Sequence, residues 1–493
     1  MKQNKFMSLV LYVSVGILAF SSCNEKDDII TNGKQESNYT NIKDAVLVFS
    51  NKQDIMDAVN SKGKATTRAK ILTQDQATGK EINCSKILSL TDKVQPDDPV
   101  LNEVSAEEKQ IILDEGMTYY DMYGCEDFIP SENFAKLLNS DGEIQLNDSI
   151  YKITEFGTLQ ANKEHMDKLD LAYKTLKADT TIALRKENFI PVIKDVMLHP
   201  YNEIAYAESD TQPVTMTRAT ISDIPTGNFK HYSSGSKTLV GRFLSSIFGE
   251  RSVKHHEFIR KHRVNGSLYS YDYIVYHETG SFVSMSKKRG GFFRHINGWK
   301  DINADELFMQ YKGIVLELNL GVPQGYIPSA PINKQPEVVS YSDLKLQGFD
   351  HIYHNTVNII GYNVKEKDLY KYIGQGSSQV FNILKRLLGN PQSLENKFGA
   401  NGQVPAVRII TPDKVYVIIP DETYNPKNTK KFRKVFSSGV KLDITISNGS
   451  SLSDFMKSIQ GSRNLPIKKI IGGEVLLAGK LNGTWGGMFI KKG

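Results

Sequence analysis

The sequence predicts an α+β fold, with a mixed N-terminal domain followed by a β-rich region of antiparallel hairpins and a few helices. Short alternating runs bounded by Asn-Gly, Asp-Gly and Pro punctuation recur along the chain. Helical periodicity is confined to a few short segments, most of them before residue 178. Composition completes the argument: 493 residues, 40% hydrophobic and 10% aromatic, with 61 Lys+Arg against 55 Asp+Glu, describe folded protein. Disorder, collagen and a polytopic membrane protein are excluded, and the length suits about three domains.

The chain opens with Lys2 and Lys5, an apolar run from Phe6 to Phe20, and small Ser21 and Ser22 before Cys23. That run is too short to span a bilayer, so residues 1–22 read as a signal peptide. Phe20-Ser21-Ser22-Cys23 resembles a bacterial lipoprotein signal, which implies diacylglycerol and a further acyl chain such as palmitate on Cys23. Asn24-Glu25-Lys26-Asp27-Asp28 is similar to the surface-export tether of Bacteroidota lipoproteins, carried here by Lys26, Asp27 and Asp28. The resemblance implies an outer-membrane, cell-surface address, with the membrane as partner through the lipid. The other reading is a plain secretory signal with Cys23 an ordinary thiol. Residues 23–43 would be the lipidated cysteine and a flexible tether.

An acidic α+β domain is expected over 44–177. It starts with a strand at Ala45–Phe49 and a helix at Asn51–Asn60 with Ile55, Met56 and Val59 at helical spacing. Ser105 and Glu108 form a capping-box pattern for a helix running to Gly124, and a short helix fits Ser131–Leu138. Ile144 and Leu146, then Ile150, Lys152 and Thr154, read as a hairpin. An amphipathic helix over Ala161–Lys177 closes the domain. Residues 178–231 read as a connecting segment.

A basic β-rich domain follows over 232–325. Its strands are Ser252–Val264, Leu268–His277 and Ser281–Ser286, with turns at Asn265-Gly266 and Glu278-Thr279-Gly280. A helix at Ala304–Tyr311 and a strand at Ile314–Leu320 come next. The C-terminal α+β region, 326–493, can pack with 232–325. It holds strands at Val357–Val364, Val407–Thr411, Val415–Ile419 and Val440–Ser447, and helices at Gln379–Leu388 and Leu452–Ile459. A closing hairpin turns at Asn482-Gly483. Across most of its length, notably Asn133–Thr158 and the Trp485 hairpin, the chain is similar to Bacteroidota lipoproteins grouped under a domain of unknown function, a resemblance that supplies no catalytic residues.

Charge divides the chain. Residues 24–170 hold 16 Lys+Arg against 28 Asp+Glu, whereas 171–493 hold 43 against 27. Either the two parts dock on each other or the basic part meets an anionic partner. The cations cluster as Lys254, Arg260 and Arg263, as Lys287, Lys288 and Arg289, and as Lys430, Lys431 and Arg433. If these segments neighbour one another they make a polyanion site. Otherwise they are solvated edges that block strand pairing. Tyr269, Tyr271 and Tyr273 alternate on one strand, which makes either a stacking platform or the core face of a sheet with Ser270 and Asp272 outward. Trp299 and Trp485 read as core or hairpin anchors rather than as sugar platforms, the alternative for exposed indoles.

No chemistry-bearing motif survives inspection. His256-Glu257 lacks the second histidine one helical turn on that a zinc protease needs, because position 260 is Arg. His256 and His262 share a strand face that His277 could approach, but the neighbouring cations oppose a metal. Gly374-Gln375-Gly376-Ser377-Ser378 misses the glycine of a nucleophile elbow. Cys84 and Cys125 are either one disulfide or two buried thiols, and the acids Glu126 and Asp127 should raise the Cys125 thiol. No cofactor, metal site or specific nucleic-acid recognition is expected. The expectation for function is non-catalytic binding of an anionic glycan, a surface polymer or a partner protein. A surface hydrolase with a site assembled only by tertiary contact, and a structural assembly component, are the alternatives.

Overall fold

The computed structural model of the protein describes residues 46–60, 87–185, 189–201, 207–208, 224–233, 253–290, 296–319, 337–339, 356–360, 406–410, 414–419, 421–439 and 469–492. Cys23, Lys26, Asp27, Asp28 and Cys84 lie outside these residues, as do the helices expected at 379–388 and 452–459 and the strand at 440–447. The fold is α+β and rich in strand.

Strand β1 (Val48–Phe49) and helix α1 (Lys52–Asn60) open the fold, and Ile55, Met56 and Val59 are buried as their spacing predicts. Helix α2 (Ala106–Glu115) carries the expected capping box: Glu108 N donates to Ser105 Oγ at 3.2 Å, and Ser105 N donates to the Glu108 carboxylate at 2.9 Å. The helix does not run on to Gly124. Gly116 ends it in the left-handed region (φ 57°), and Thr118 with Asp121 caps a second helix, α3 (Tyr119–Tyr123), which Gly124 ends at φ 64°. A glycine followed by a second capping box outweighs continuing apolar spacing. Helix α4 (Glu132–Ala135) follows, capped by Ser131.

The hairpin of β2 (Glu143–Leu146) and β3 (Ser149–Thr154) turns at Asn147-Asp148, and β4 (Gly157–Asn162) extends it. Helix α5 (Lys168–Ala178) therefore begins later than the expected Ala161. Strands β5 (Ile190–Ile193) and β6 (Val196–Pro200) fall inside the segment expected to be a connection. They complete a six-stranded sheet, ordered β1-β2-β3-β4-β6-β5, because Ile190, Val196 and Leu198 find their core against Leu169 and Leu176 of α5.

The second part is built from β7 (Ala207–Glu208), β8 (Lys230–Ser233), β9 (Val253–Ile259), β10 (His262–Asp272), β11 (His277–Lys288), β12 (Trp299–Asp301) and β13 (Ala304–Asn319). Then come β14 (Glu337–Val339), β15 (Thr356–Ile360), β16 (Ala406–Ile410), β17 (Lys414–Ile418), β18 (Glu422–Tyr424), β19 (Lys427–Thr429), β20 (Lys431–Gly439), β21 (Lys469–Leu481) and β22 (Thr484–Lys492). Strands β9 to β12 with β20 form a five-stranded sheet. The others form an eleven-stranded sheet in which β13, β21 and β22 are central. The region before residue 325 and the region after it share both sheets, since β20 pairs with β11, and β13 with β17 and β21.

Both expected turns in the first of these hairpins are displaced. Strand β10 passes straight through Asn265-Gly266, and the chain reverses at Arg260-Lys261, with Lys261 at φ 63°. Gly266 is small for another reason: a Cβ there would lie 2.5 Å from Leu477 Cδ1 on the facing sheet. Strand β11 likewise passes through Glu278-Thr279-Gly280, and the reversal is at Tyr273–Tyr276. The helix expected at 304–311 is strand β13. Leu307, Met309 and Tyr311 enter the core between the sheets while Phe308 joins a cluster with Phe489, so an apolar run buried on both faces loses the alternation that marks a strand. The closing hairpin turns at Asn482 (φ 50°) and Gly483 (φ 77°), as its Asn-Gly predicts.

The five-stranded sheet is the middle layer. Val264, Leu268, Val283 and Met285 pack on β13, β21 and β22, whereas Tyr269, Tyr271 and Phe282 pack on the helices of the N-terminal part.

Candidate functional site

The three tyrosines are core residues. Tyr269, Tyr271 and Tyr273 are 0%, 2% and 0% exposed. Tyr269 Oη donates to Glu278 Oε1 at 2.5 Å, and Tyr271 Oη and Tyr273 Oη donate to the carbonyls of Asp127 and Phe128, each at 2.7 Å. Burial raises Tyr269 and Tyr273 well above the usual phenol range. The alternating face is therefore a dry seam between the N-terminal part and the sandwich, and no stacking platform exists there. The opposite face is not outward either, since Ser270 is also buried.

Register brings the three basic segments to one sheet. Lys287 pairs with His262 and with Lys300, the Lys288 amide donates to Lys261 O at 2.8 Å, and the Met285 amide donates to Lys430 O at 3.0 Å. The cations then divide. Arg289 pairs with Glu115 at 2.8 Å, Lys431 with Glu126 at 3.0 Å, and Arg433 with Glu278 at 2.9 Å, while Lys254 is buried. These four do not belong to an open patch. The first two bind the basic half to the acidic half, which is one of the two arrangements that the charge asymmetry allows. Arg260, Lys261, Lys287, Lys288, Lys300 and Lys430 remain exposed.

Two adjoining cavities open along the seam, about 320 and 580 Å³ in volume, and Gly124, Glu126, Asn297, Trp299 and Asp301 line both. Trp299 is no core anchor: it walls both cavities and carries the Arg263 guanidinium 4.0 Å from its ring centre. Arg263 donates from Nε to Ser286 Oγ at 3.2 Å, and burial lowers its pKa to about 10. Asp301 is held up at about 8, chiefly by burial and then by the Glu126 carboxylate, against the opposing pull of Lys431 and Lys430. A shift in this direction favours the protonated carboxyl, which can donate a hydrogen bond.

The histidines are scattered by the fold. His256 Nδ1 lies 2.8 Å from Gly487 O, His262 Nδ1 lies 3.0 Å from Arg260 O at the hairpin tip, and His277 sits at the far end of β11. Among the described residues no three His, Cys, Asp or Glu side chains are grouped to hold a metal ion, and no helix is long and apolar enough to cross a membrane. Cys125 is a buried free thiol, raised chiefly by burial and less by Glu155, Asp121 and Asp127.

Sequence reasoning missed Asn297, Trp299 and Asp301 as site residues. The one signal was their closeness in sequence to the Lys287–Arg289 cluster, because the cavity exists only where α3 meets β12. Comparison with known proteins finds no matching family model, no matching curated protein and no matching solved structure.

Proposed function

We propose that the protein is a lipid-anchored cell-surface protein that binds an anionic polymer, in the first instance an acidic glycan, at the cationic end of its five-stranded sheet. One observation carries this reading: segments that are far apart in sequence set Arg260, Lys261, Lys287, Lys288, Lys300 and Lys430 side by side and exposed. Glu257 is the exposed acid beside them, and Lys300 is shared with Glu115 at 3.4 Å. Clustered like charge raises the local concentration of counter-charged polymer and is screened by salt.

Dextran sulfate and uncharged dextran are the probes. Affinity for the sulfated polymer should fall about tenfold or more between about 50 and 200 mM salt. It should collapse when Arg260, Lys261, Lys287 and Lys288 are all replaced by Ser, while the neutral polymer should not bind this end. Binding unmoved by salt or by the fourfold substitution removes the proposal. The address is tested separately, by mass spectrometry for acyl chains on Cys23 and by release of Cys23→Ser from the membrane.

A hydrolase is the second reading, and Asp301 and Glu126 sharing the walls of both cavities favours it. Release of reducing ends from a glycan, lost in Asp301→Ala, would establish that reading over simple binding.

A further inference from the structure

We infer that the smaller seam cavity binds a neutral polyhydroxylated molecule of about mono- to disaccharide size, held by Arg263, Asn297 and Asp301 beside the Trp299 indole. Its volume, about 320 Å³, lies at the small end of ligand sites.

Three polar groups on its wall have hydrogen-bonding capacity that the described residues leave unused. Arg263 spends Nε on Ser286 and lies over the Trp299 ring, and among the described residues its two terminal nitrogens make no hydrogen bond. Asn297 accepts from the Trp299 amide at 3.1 Å through Oδ1, which leaves its Nδ2 donors free. Asp301 pairs with Ser286 through its backbone, and among the described residues its carboxyl makes no hydrogen bond and no ion pair, although it lines the cavity. All three are half-buried and line one cavity, and three such groups converging there match a ligand that both donates and accepts.

The other charges on the wall exclude competing ligand classes. Glu126 is offset by Lys431 at 3.0 Å, and the Glu155 carboxylate accepts from Tyr173 Oη at 2.9 Å. Asp127 and Glu155 would repel a free anion, while Arg263 and Lys177 would repel a cation. Most of the exposed wall is polar, so a lipid or an aromatic ligand would leave it unpaired. A sugar unit fits: its hydroxyls exchange donor and acceptor roles, and its ring carbons can lie against an aromatic residue. Because this site is near neutral, it stands apart from the cationic rim.

The protein contains two tryptophans, so Trp485→Phe makes Trp299 its sole indole reporter. That full-length variant is titrated with glucose, galactose, mannose, N-acetylglucosamine, cellobiose and lactose at neutral pH. At least one should produce a saturable change in emission, unaltered by raising salt to about 500 mM. Asn297→Ala should weaken it about tenfold. Asp301→Asn keeps a hydrogen-bonding group in place, so it should retain binding at pH 7 that Asp301→Ala weakens. No saturable response to any of the six sugars, or a response unchanged in both Asn297→Ala and Arg263→Ala, overturns the inference. Neither result touches the dextran sulfate experiment, which reports on other residues.

Discussion

Arg433 Nη1 donates to Glu278 Oε1 at 2.9 Å across 155 residues of sequence, and Glu278 at the same time accepts from Tyr269 and Tyr276. The carboxylate side chain is 2% exposed, and Arg433 also donates to the Pro130 carbonyl at 3.0 Å, so one pair joins β11, β20 and the N-terminal part. Burial acts to lower the Arg433 pKa, but Glu278 and its neighbouring tyrosines outweigh it and hold the guanidinium above its ordinary value. Removing the carboxylate strands a half-buried guanidinium and two buried phenols.

Glu278→Ala should therefore cost on the order of 3–5 kcal/mol in urea unfolding. Arg260→Ala at the exposed hairpin tip should change stability by less than about 0.5 kcal/mol. Equal effects at the two positions would show that the pair does not hold the layers together.

Gly280 pairs directly with Tyr269, and a Cβ added to it would lie 2.5 Å from Lys434 O and 2.6 Å from Tyr269 Oη. Gly280→Ala must push apart backbone and a buried ring, at about 1–3 kcal/mol. Gly227→Ala meets nothing within 4 Å and serves as the control. Thermal unfolding of the two variants measures the difference, and similar midpoints would contradict the packing described for the middle sheet.

Stability should depend on pH through two half-buried groups of opposite sign. Burial, reinforced by Arg263, lowers His255 to about 4 from 6.5. The unfolded chain binds the extra proton between these values, so this contribution rises with pH up to about 6.5 and is then complete. Asp301, raised from 3.8 to about 8, does the reverse: the folded chain binds the extra proton, and stability falls as pH rises through that window. Between 6.5 and 8 only the Asp301 slope remains of the two, on the order of 2 kcal/mol. Urea midpoints across this range should decline, and Asp301→Asn should flatten the decline. A slope unchanged in that variant would assign it to other groups.

Much of the local structure was legible before any contact was known. The Ser105–Glu108 capping box, the hairpin at Asn147-Asp148 and the Asn482-Gly483 turn depend on residues within a few positions of one another. Backbone preference and short-range hydrogen bonds decide such features. Gly266 and Gly280 misled because glycine answers two needs, a turn or a close neighbour, and the neighbours here are Leu477 and Tyr269. The strand Ala304–Asn319 was expected only from Ile314 onward, and its first half reads as a helix because Leu307 and Phe308 are buried on opposite faces.

By itself, the order of residues determined an α+β composition, a division into an acidic and a basic part, and the absence of any local metal or nucleophile motif. Tertiary structure alone decided that the Tyr269–Tyr273 face is dry, that Arg289 and Lys431 are spent on Glu115 and Glu126, and that Trp299, Asn297 and Asp301 wall a cavity. The reason is one of range: caps and turns are settled over a few bonds, whereas burial and charge pairing depend on which distant surface arrives, and that is fixed only when the sheets stack.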